Sequence, residues 1–179
     1  YEGCKEGVHG IDLTVHDGEC AVLTGPSGGG KTTLTRLLNG LTPFYYQGTQ
    51  KGSIWVNGAD ITALPAWRIG QEIGSVFQDP RSQFFSSELA GEVAFACENY
   101  GMTKQEIRER TDEAIASLGL KELRSRSLDV LSSGEKQRVA VASVYALRPH
   151  TYVCDEPTAN LDSEGTARLA DILRKLKDE

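Results

Sequence analysis

The first third of the chain consists of short apolar runs separated by glycine-marked turns, a pattern that is typical of strands. Residues 11–15 alternate apolar and polar side chains, and an apolar run covers 20–24, so a hairpin or two adjacent strands is predicted there. Residues 31–39 place their leucines on one side of a predicted helix. Two further strands are predicted at 53–57 and 73–77.

From residue 88 onward the pattern becomes helical. Glycine and proline are scarce, and three helices are predicted at 88–98, 104–118 and 133–147. An apolar run at 151–155 predicts a buried strand, and 164–177 predicts a final helix with one apolar face. This order predicts an α/β core, at about 1–85 and 148–179, that is interrupted by a helical subdomain at about 86–147.

Length, charge and cysteine content narrow the class of protein. At 179 residues the chain is long enough for one domain with a buried core. Its net charge of −6 argues against the basic face that nucleic-acid binding needs. The longest apolar stretch, 139–147, is too short to cross a bilayer. The four cysteines match no metal or redox spacing, which favours reduced, mostly buried thiols in a cytosolic protein.

A glycine-rich loop lies between the predicted strand at 20–24 and the helix that follows. Residues 25–32 read Gly-Pro-Ser-Gly-Gly-Gly-Lys-Thr, which matches the phosphate-binding P-loop. Its glycines let backbone N–H groups point at phosphate oxygens, and the helix N-terminus adds positive potential. Lys31 is expected to neutralise the β- and γ-phosphates, and the Thr32 hydroxyl to coordinate Mg²⁺. A glycine-rich turn with an unrelated lysine is the alternative, which the flanking strand and helix disfavour.

Two adjacent carboxylates end the apolar run at 151–155. Asp155 is placed to hold Mg²⁺ through water, and Glu156 to take a proton from an attacking water. A solvated strand end would also explain such a pair. In combination with the P-loop, the pair indicates nucleotide hydrolysis.

The residues before the predicted helix at 133–147 allow two interpretations. Residues 131–135 read Leu-Ser-Ser-Gly-Glu, and small residues at a helix N-terminus can form a second anion site. The same residues also fit a capped helix, with Ser132 or Ser133 as the N-cap. The pattern by itself slightly favours the cap.

Taken in order, these motifs resemble those of the ABC-type ATPase subunits. Residues 25–32 resemble Walker A, Gln78 the Q-loop, 131–135 the L-S-G-G-Q signature, 151–156 Walker B, and 160–162 the D-loop. The resemblance implies a single domain at 1–179, truncated at both ends, with an α/β P-loop NTPase fold. This fold has a RecA-like core, an antiparallel β portion and the helical subdomain.

The resemblance also implies ATP hydrolysis with Mg²⁺ as cofactor. Glu156 would be the general base, with Gln78 and Lys31 as further catalytic residues, and the metal ligands would be Thr32, Gln78 and Asp155. The residues implied to bind ATP are Tyr1, Gly25, Pro26, Ser27, Gly28, Gly29, Gly30, Lys31, Thr32 and Thr33. Those implied to contact the ATP of a second ATPase subunit are Ser132, Ser133, Gly134 and Glu135, with Asp162 in the D-loop.

Two departures from the family pattern are visible. Ser133 and Glu135 replace a glycine and the glutamine of the signature, and Glu135 adds a negative charge. The switch histidine of the family is expected beyond Glu179. The three histidines of the chain are interpreted as ordinary turn or surface residues, at positions 9, 16 and 150.

Residues 77–85, with 92–95 and 98–99, resemble the ATPases of energy-coupling-factor importers, which take up vitamins and cobalt or nickel ions. Phe84 and Phe85 either form an exposed patch for a membrane partner or fill the core of the helical subdomain, and the resemblance favours the patch. It implies a transmembrane transporter subunit as partner, no nucleic acid, and a peripheral location at the cytoplasmic face of the cell membrane. The alternatives are a non-transport ABC ATPase and a regulatory nucleotide-binding module that does not hydrolyse.

Overall fold

The computed structural model describes residues 7–159 and 161–178, so Tyr1 and Asn160 lie outside the described residues. The helices are α1 (Lys31–Leu38), α2 (Leu41–Phe44), α3 (Ala66–Glu72), α4 (Leu89–Asn99), α5 (Lys104–Ser117), α6 (Ser133–Leu147) and α7 (Ser163–Asp178). The strands are β1 (Trp55–Val56), β2 (Ala59–Asp60), β3 (Ile73–Val76) and β4 (Thr151–Cys154). All five helices predicted from periodicity are confirmed.

The strands β3 and β4 form a parallel pair, which confirms the strands predicted at 73–77 and 151–155. The burial predicted for 151–155 is wrong, since every residue of β4 is half-buried. Ile73 lies opposite Thr151 and Val76 opposite Cys154. Because the pair is parallel and in register, both strands end at the same edge, and the residues that follow each strand are brought together. This pairing brings Gln78, which follows β3, beside Glu156, which follows β4.

The predicted strand at 53–57 is shorter than expected. Only Trp55 and Val56 pair, antiparallel to β2, through a two-residue turn at Asn57-Gly58. Both turn residues have positive φ, 49° and 77°, the backbone that an Asn-Gly hairpin turn adopts.

The strands predicted at 11–15 and 20–24 are wrong for this structure. The turn between them is present, since Glu19 N–H donates to the His16 carbonyl at 3.0 Å, but neither segment joins a ladder within the described residues. Apolar side chains of both segments stay in solvent; Leu13 is 53% and Val22 77% exposed. Alternating apolar and polar side chains show that a segment could place one face against a hydrophobic core. A strand forms only where a second strand pairs with its backbone hydrogen-bonding groups.

The core lies mainly among the helices that follow residue 88. The buried side chains of α4, α5 and α6 form one cluster, which also receives Val76 from β3 and Leu169 from α7. Helix α6 packs closely on β3 at Gly74, where a Cβ atom would lie 2.4 Å from Cγ1 of Val144. A glycine is therefore required where the helical part meets the sheet. Among the helices of residues 7–159 and 161–178, none has the length and apolar character needed to cross a membrane.

Candidate nucleotide site

The glycine-rich loop is a tight turn that runs directly into α1. Gly28 and Gly30 have φ of 79° and 89°, which strains any residue with a side chain. Gly29 N–H donates to the Pro26 carbonyl at 3.1 Å and closes the turn. Gly30 caps α1 without a side-chain hydrogen bond, so the first amides of the helix stay available to an anion.

Lys31 folds back over this loop. Its ammonium donates to the carbonyls of Gly25 and Pro26, each at 3.0 Å. These contacts hold a positive charge against the concave side of the turn. Thr32 and Thr33 follow in the first turn of α1, where their hydroxyls are half-buried.

Asp155 follows β4 and is held against α1. Its backbone N–H donates to the Val76 carbonyl at 2.9 Å and so continues the β3–β4 pairing by one residue. Its carboxylate is 9% exposed and accepts a 3.4 Å hydrogen bond from the hydroxyl of Thr35. The single hydroxyl proton of Thr35 is shared between Asp155 and the Thr32 carbonyl, 2.9 Å away, so this side chain lies between the end of β4 and the start of α1.

Gln78 and Glu156 meet at the edge where the two parallel strands end. The side-chain N–H of Gln78 donates to Oε2 of Glu156 at 2.9 Å. Glu156 has a φ of 47°, a left-handed backbone that costs a non-glycine residue about 1–3 kcal/mol. Such strain is concentrated at functional sites, and here it turns the carboxylate toward the Q-loop.

The residues at the start of α6 form a capping box. Ser132 is the N-cap: its hydroxyl accepts from Glu135 N–H at 3.3 Å, and its own N–H donates to the Glu135 carboxylate at 2.7 Å. Hydrogen bonding of the carboxylate to Ser132, first to its backbone N–H and then to its side chain, lowers the pKa of Glu135 below its usual value. Glu135 is therefore a carboxylate at neutral pH, folded back on the helix N-terminus. This settles the cap at Ser132 rather than Ser133, while binding of an anion there stays a prediction.

Asp162 has a comparable structural role at the start of α7. Its Oδ1 accepts from the Gly165 N–H at 2.7 Å, and its carbonyl accepts from Thr166 N–H at 2.9 Å. The expected D-loop aspartate thus orders the first turn of that helix.

Phe84 and Phe85, which the sequence does not distinguish, lie in different environments in the structure. Phe84 is half-buried and packs against the main core cluster. Phe85 is 74% exposed, and its ring stacks on that of Phe95 with centroids 4.8 Å apart. Phe85 is therefore exposed and Phe84 contributes to the core, while docking of a membrane partner at Phe85 stays a prediction.

Phe85 borders a groove of about 300 Å³ between the sheet, α3 and α4. Its lining includes Gly70, Ser75, Phe85, Phe95, Tyr100 and Leu147. Tyr100 spans the groove, since its hydroxyl donates to the Trp67 carbonyl at 3.3 Å.

Two polar residues near these sites were missed in the sequence. Thr35 connects Thr32 to Asp155, and Glu92 binds the loop that carries Phe85. The signal for Thr35 was its position one turn after Thr32 on a short helix. Glu92 begins the 92–95 stretch of the resemblance, but its position in an apolar helix predicted no contact with the loop.

Comparison with known proteins gives a consistent result. Residues 8–159 match the family model for ABC transporters. The chain is 39% identical over 178 residues to an ABC transporter ATP-binding protein of Treponema denticola, covering 99% of the chain and 36% of that relative. It is 38% identical over 167 residues to one of Saccharolobus solfataricus, covering 93% and 32%. The chain therefore spans about a third of the length of these curated relatives.

Solved structures agree with the sequence matches. CbiO1 of Clostridium perfringens, part of the ABC transporter complex CbiONQ, superposes with a TM-score of 0.81 at 32% identity, covering 94% of the chain and 66% of CbiO1. A dimeric ATP-binding cassette in a post-hydrolysis state, bound to ADP and Pi, superposes with a TM-score of 0.81 at 25% identity, covering 94% and 73%. These neighbours confirm the α/β P-loop fold class.

Proposed function

Because the chain belongs to the ABC transporter family of ATP-binding domains, we propose that it binds and hydrolyses ATP to drive a membrane transporter. The observation that supports hydrolysis best is the 2.9 Å hydrogen bond between Gln78 and Glu156. It joins a Q-loop amide to the carboxylate after β4, close in sequence to Asp155. Hydrolysis of Mg·ATP by the full-length protein, and its loss in a Glu156 variant, is the direct test.

The loop and helix α1 would hold the phosphates of ATP. Lys31 supplies the positive charge, and the uncapped amides at the start of α1 supply hydrogen-bond donors. When ATP binds, its phosphates would replace the two loop carbonyls as the hydrogen-bond partners of the Lys31 ammonium. The carbonyls are neutral, so a phosphate is the stronger partner for the ammonium.

The donor set fits Mg²⁺. Asp155 is a buried carboxylate, and within the described part of the chain its side chain has no hydrogen bond besides the 3.4 Å contact with Thr35. A buried carboxylate with so weak a partner is stabilised by a cation. Thr32, Gln78 and Asp155 would hold the ion, which would offset the charge of the phosphates. Glu156 would accept the proton of the attacking water, and Gln78 would orient that carboxylate.

A second subunit completes the proposed site. Ser132, Ser133, Gly134 and Glu135 would contact ATP bound to the partner, so the working unit would be a dimer, whether of identical or related chains. The dimeric state of the ADP-bound neighbour supports this arrangement.

A more specific proposal is that the transporter driven by this protein is an importer of the energy-coupling-factor type. The likeness to CbiO1, part of an ABC transporter complex, supports it, together with the sequence at 77–85. A transmembrane subunit would then dock in the groove beside Phe85, which places the protein at the cytoplasmic face of the membrane. An exposed aromatic ring at the rim of an apolar groove is a typical anchor point for a protein partner.

Phe85→Ser in the full-length protein is expected to reduce co-purification with the transmembrane subunit at least about fivefold. The melting temperature is expected to fall by no more than about 5 °C, because the exposed ring loses its stack on Phe95, worth about 0.5–1.5 kcal/mol. Co-elution of tagged subunits and thermal unfolding measure the two effects.

Phe84→Ser is the matched control. Its half-buried ring packs against the core, so we expect a loss of about 1–3 kcal/mol in the free energy of unfolding. A Phe85→Ser protein that assembles as well as the wild type would contradict the docking site. A Phe85→Ser protein that unfolds would assign the ring to the core instead.

A further inference from the structure

One buried carboxylate has no part in the proposed chemistry. Glu92 lies on α4, is 3% exposed, and its Oε2 accepts hydrogen bonds from the backbone N–H groups of Phe85 and Ser86, both at 2.8 Å. The ion pairs of the described residues do not include it. A buried carboxylate is costly unless it is paired or hydrogen-bonded, so these two amides are what stabilises it.

The same face of α4 also holds the ring of Phe85. Phe95 lies one turn after Glu92, and its ring stacks on Phe85 at an interplanar angle of 9°. Helix α4 thus contacts Phe85 at two points: Glu92 binds its backbone, and Phe95 packs against its side chain. The position of Phe85 is therefore tied to that of the helix.

The segment from 77 to 86 is closed upon itself and connects Phe85 to the nucleotide site. Gln83 accepts from Phe77 N–H at 3.1 Å, so the two ends of the turn are joined. Between them Asp79 caps a 3₁₀ turn, Pro80–Gln83, by accepting from Arg81 N–H at 3.0 Å. These hydrogen bonds connect the two ends of the turn, so a displacement near Phe85 can be transmitted toward Gln78.

The two ends of this unit contact different elements. Gln78 at the start donates to Glu156, and Phe85 and Ser86 at the end donate to Glu92. We propose that Glu92 is a positioning residue that sets where Gln78 lies relative to Glu156, and so couples the docking groove to the nucleotide site. This inference rests on the proposed function, because it takes the Gln78–Glu156 pair as the site of hydrolysis.

Coupling between two sites is reciprocal, which allows a test without the membrane partner. In the full-length wild-type protein, binding of Mg²⁺ with a non-hydrolysable ATP analogue is expected to change amide hydrogen exchange at Phe85 and Ser86 by about threefold or more. In Glu92→Gln, exchange of both amides without nucleotide is expected to rise about tenfold, because a neutral oxygen accepts weaker hydrogen bonds than a carboxylate. The response to nucleotide is expected to disappear, and the dissociation constant of the analogue is expected to change by about the same threefold factor, because coupling between two sites acts equally in both directions.

Glu106→Gln is the matched control. The Glu106 carboxylate accepts from the Thr103 N–H at 2.9 Å, outside the 77–86 segment, so the response of Phe85 and Ser86 should be unchanged. Glu92→Asp keeps the charge but shortens the side chain, so it should also uncouple the two sites. It provides a second test if the Glu92→Gln protein does not fold.

The outcomes are distinguishable. If the wild type binds the analogue and the two amides do not respond, the inference is wrong. If either Glu92 variant folds and retains the full response, Glu92 is only a structural residue. If the wild type does not bind the analogue at all, the proposed function fails, and the inference fails with it.

Discussion

Replacing Glu156 with glutamine is expected to lower ATP turnover by about 10²–10⁴ and leave ATP binding intact. An amide of the same size cannot take the proton of the attacking water. Its oxygen can still accept the hydrogen bond from Gln78, so the edge of the β3–β4 pair should keep its geometry. The contacts of Lys31 lie on a different loop and should be unaffected.

The same variant should accumulate as an ATP-bound dimer. If the residues at 132–135 contact ATP bound to a second subunit, that ATP holds the two subunits together. Because the variant does not hydrolyse ATP, the dimer should not dissociate. Gel filtration of the full-length Glu156→Gln protein with Mg·ATP, and separately with Mg·ADP, should show a dimer only with ATP.

Glu164→Gln provides a control for the substitution itself. Glu164 is an exposed glutamate in the first turn of α7 that pairs with Arg168, and its replacement should leave turnover at the wild-type rate. Wild-type turnover in Glu156→Gln would remove Glu156 as the general base. Lost turnover without a dimer would point to the signature loop, where Glu135 adds a negative charge.

Replacing Lys31 with alanine is expected to weaken ATP binding by at least about 100-fold. A hydrogen bond to a charged group contributes about 1.5–3 kcal/mol, and Lys31 is expected to contact two phosphates. The substitution also removes the two 3.0 Å contacts to the Gly25 and Pro26 carbonyls, which brace the loop before nucleotide arrives. Titration calorimetry of the full-length protein with Mg·ATP measures the loss.

The exposed Lys51 is the matched control, since Lys51→Ala removes the same charge from a loop away from the P-loop. Its dissociation constant for ATP should equal that of the wild type. Equal affinity of the Lys31→Ala protein would instead refute the phosphate-binding role of the loop.

Much of the candidate site was predictable because its signals are local. The P-loop is one continuous stretch, and its glycines are required by backbone angles that other residues do not adopt easily. The helices followed from periodicity within 8 to 16 residues, and an N-cap at Ser132 or Ser133 from small polar residues at the start of the helix.

The errors came from features that depend on partners far away in the chain. The segments at 11–15 and 20–24 have the alternation or apolar character of strands, but within the described residues nothing pairs with them. Phe84 and Phe85 are neighbours of the same type, yet they face opposite environments. No pattern in the sequence distinguishes them, because the difference lies in which side of the loop meets α4.

The sequence by itself identified the candidate chemistry: a phosphate loop with Lys31, a carboxylate pair after an apolar strand, and a capped helix with the signature-like residues. Only the tertiary structure decided that Gln78 touches Glu156, that Thr35 touches Asp155, and that buried Glu92 holds the backbone at Phe85. The physical reason is how far apart the contacting residues lie along the chain. Turns, caps and helix faces are set by residues a few positions apart. Contacts between residues 78 or 120 positions apart exist only after β3 and β4 pair and the helices pack against them.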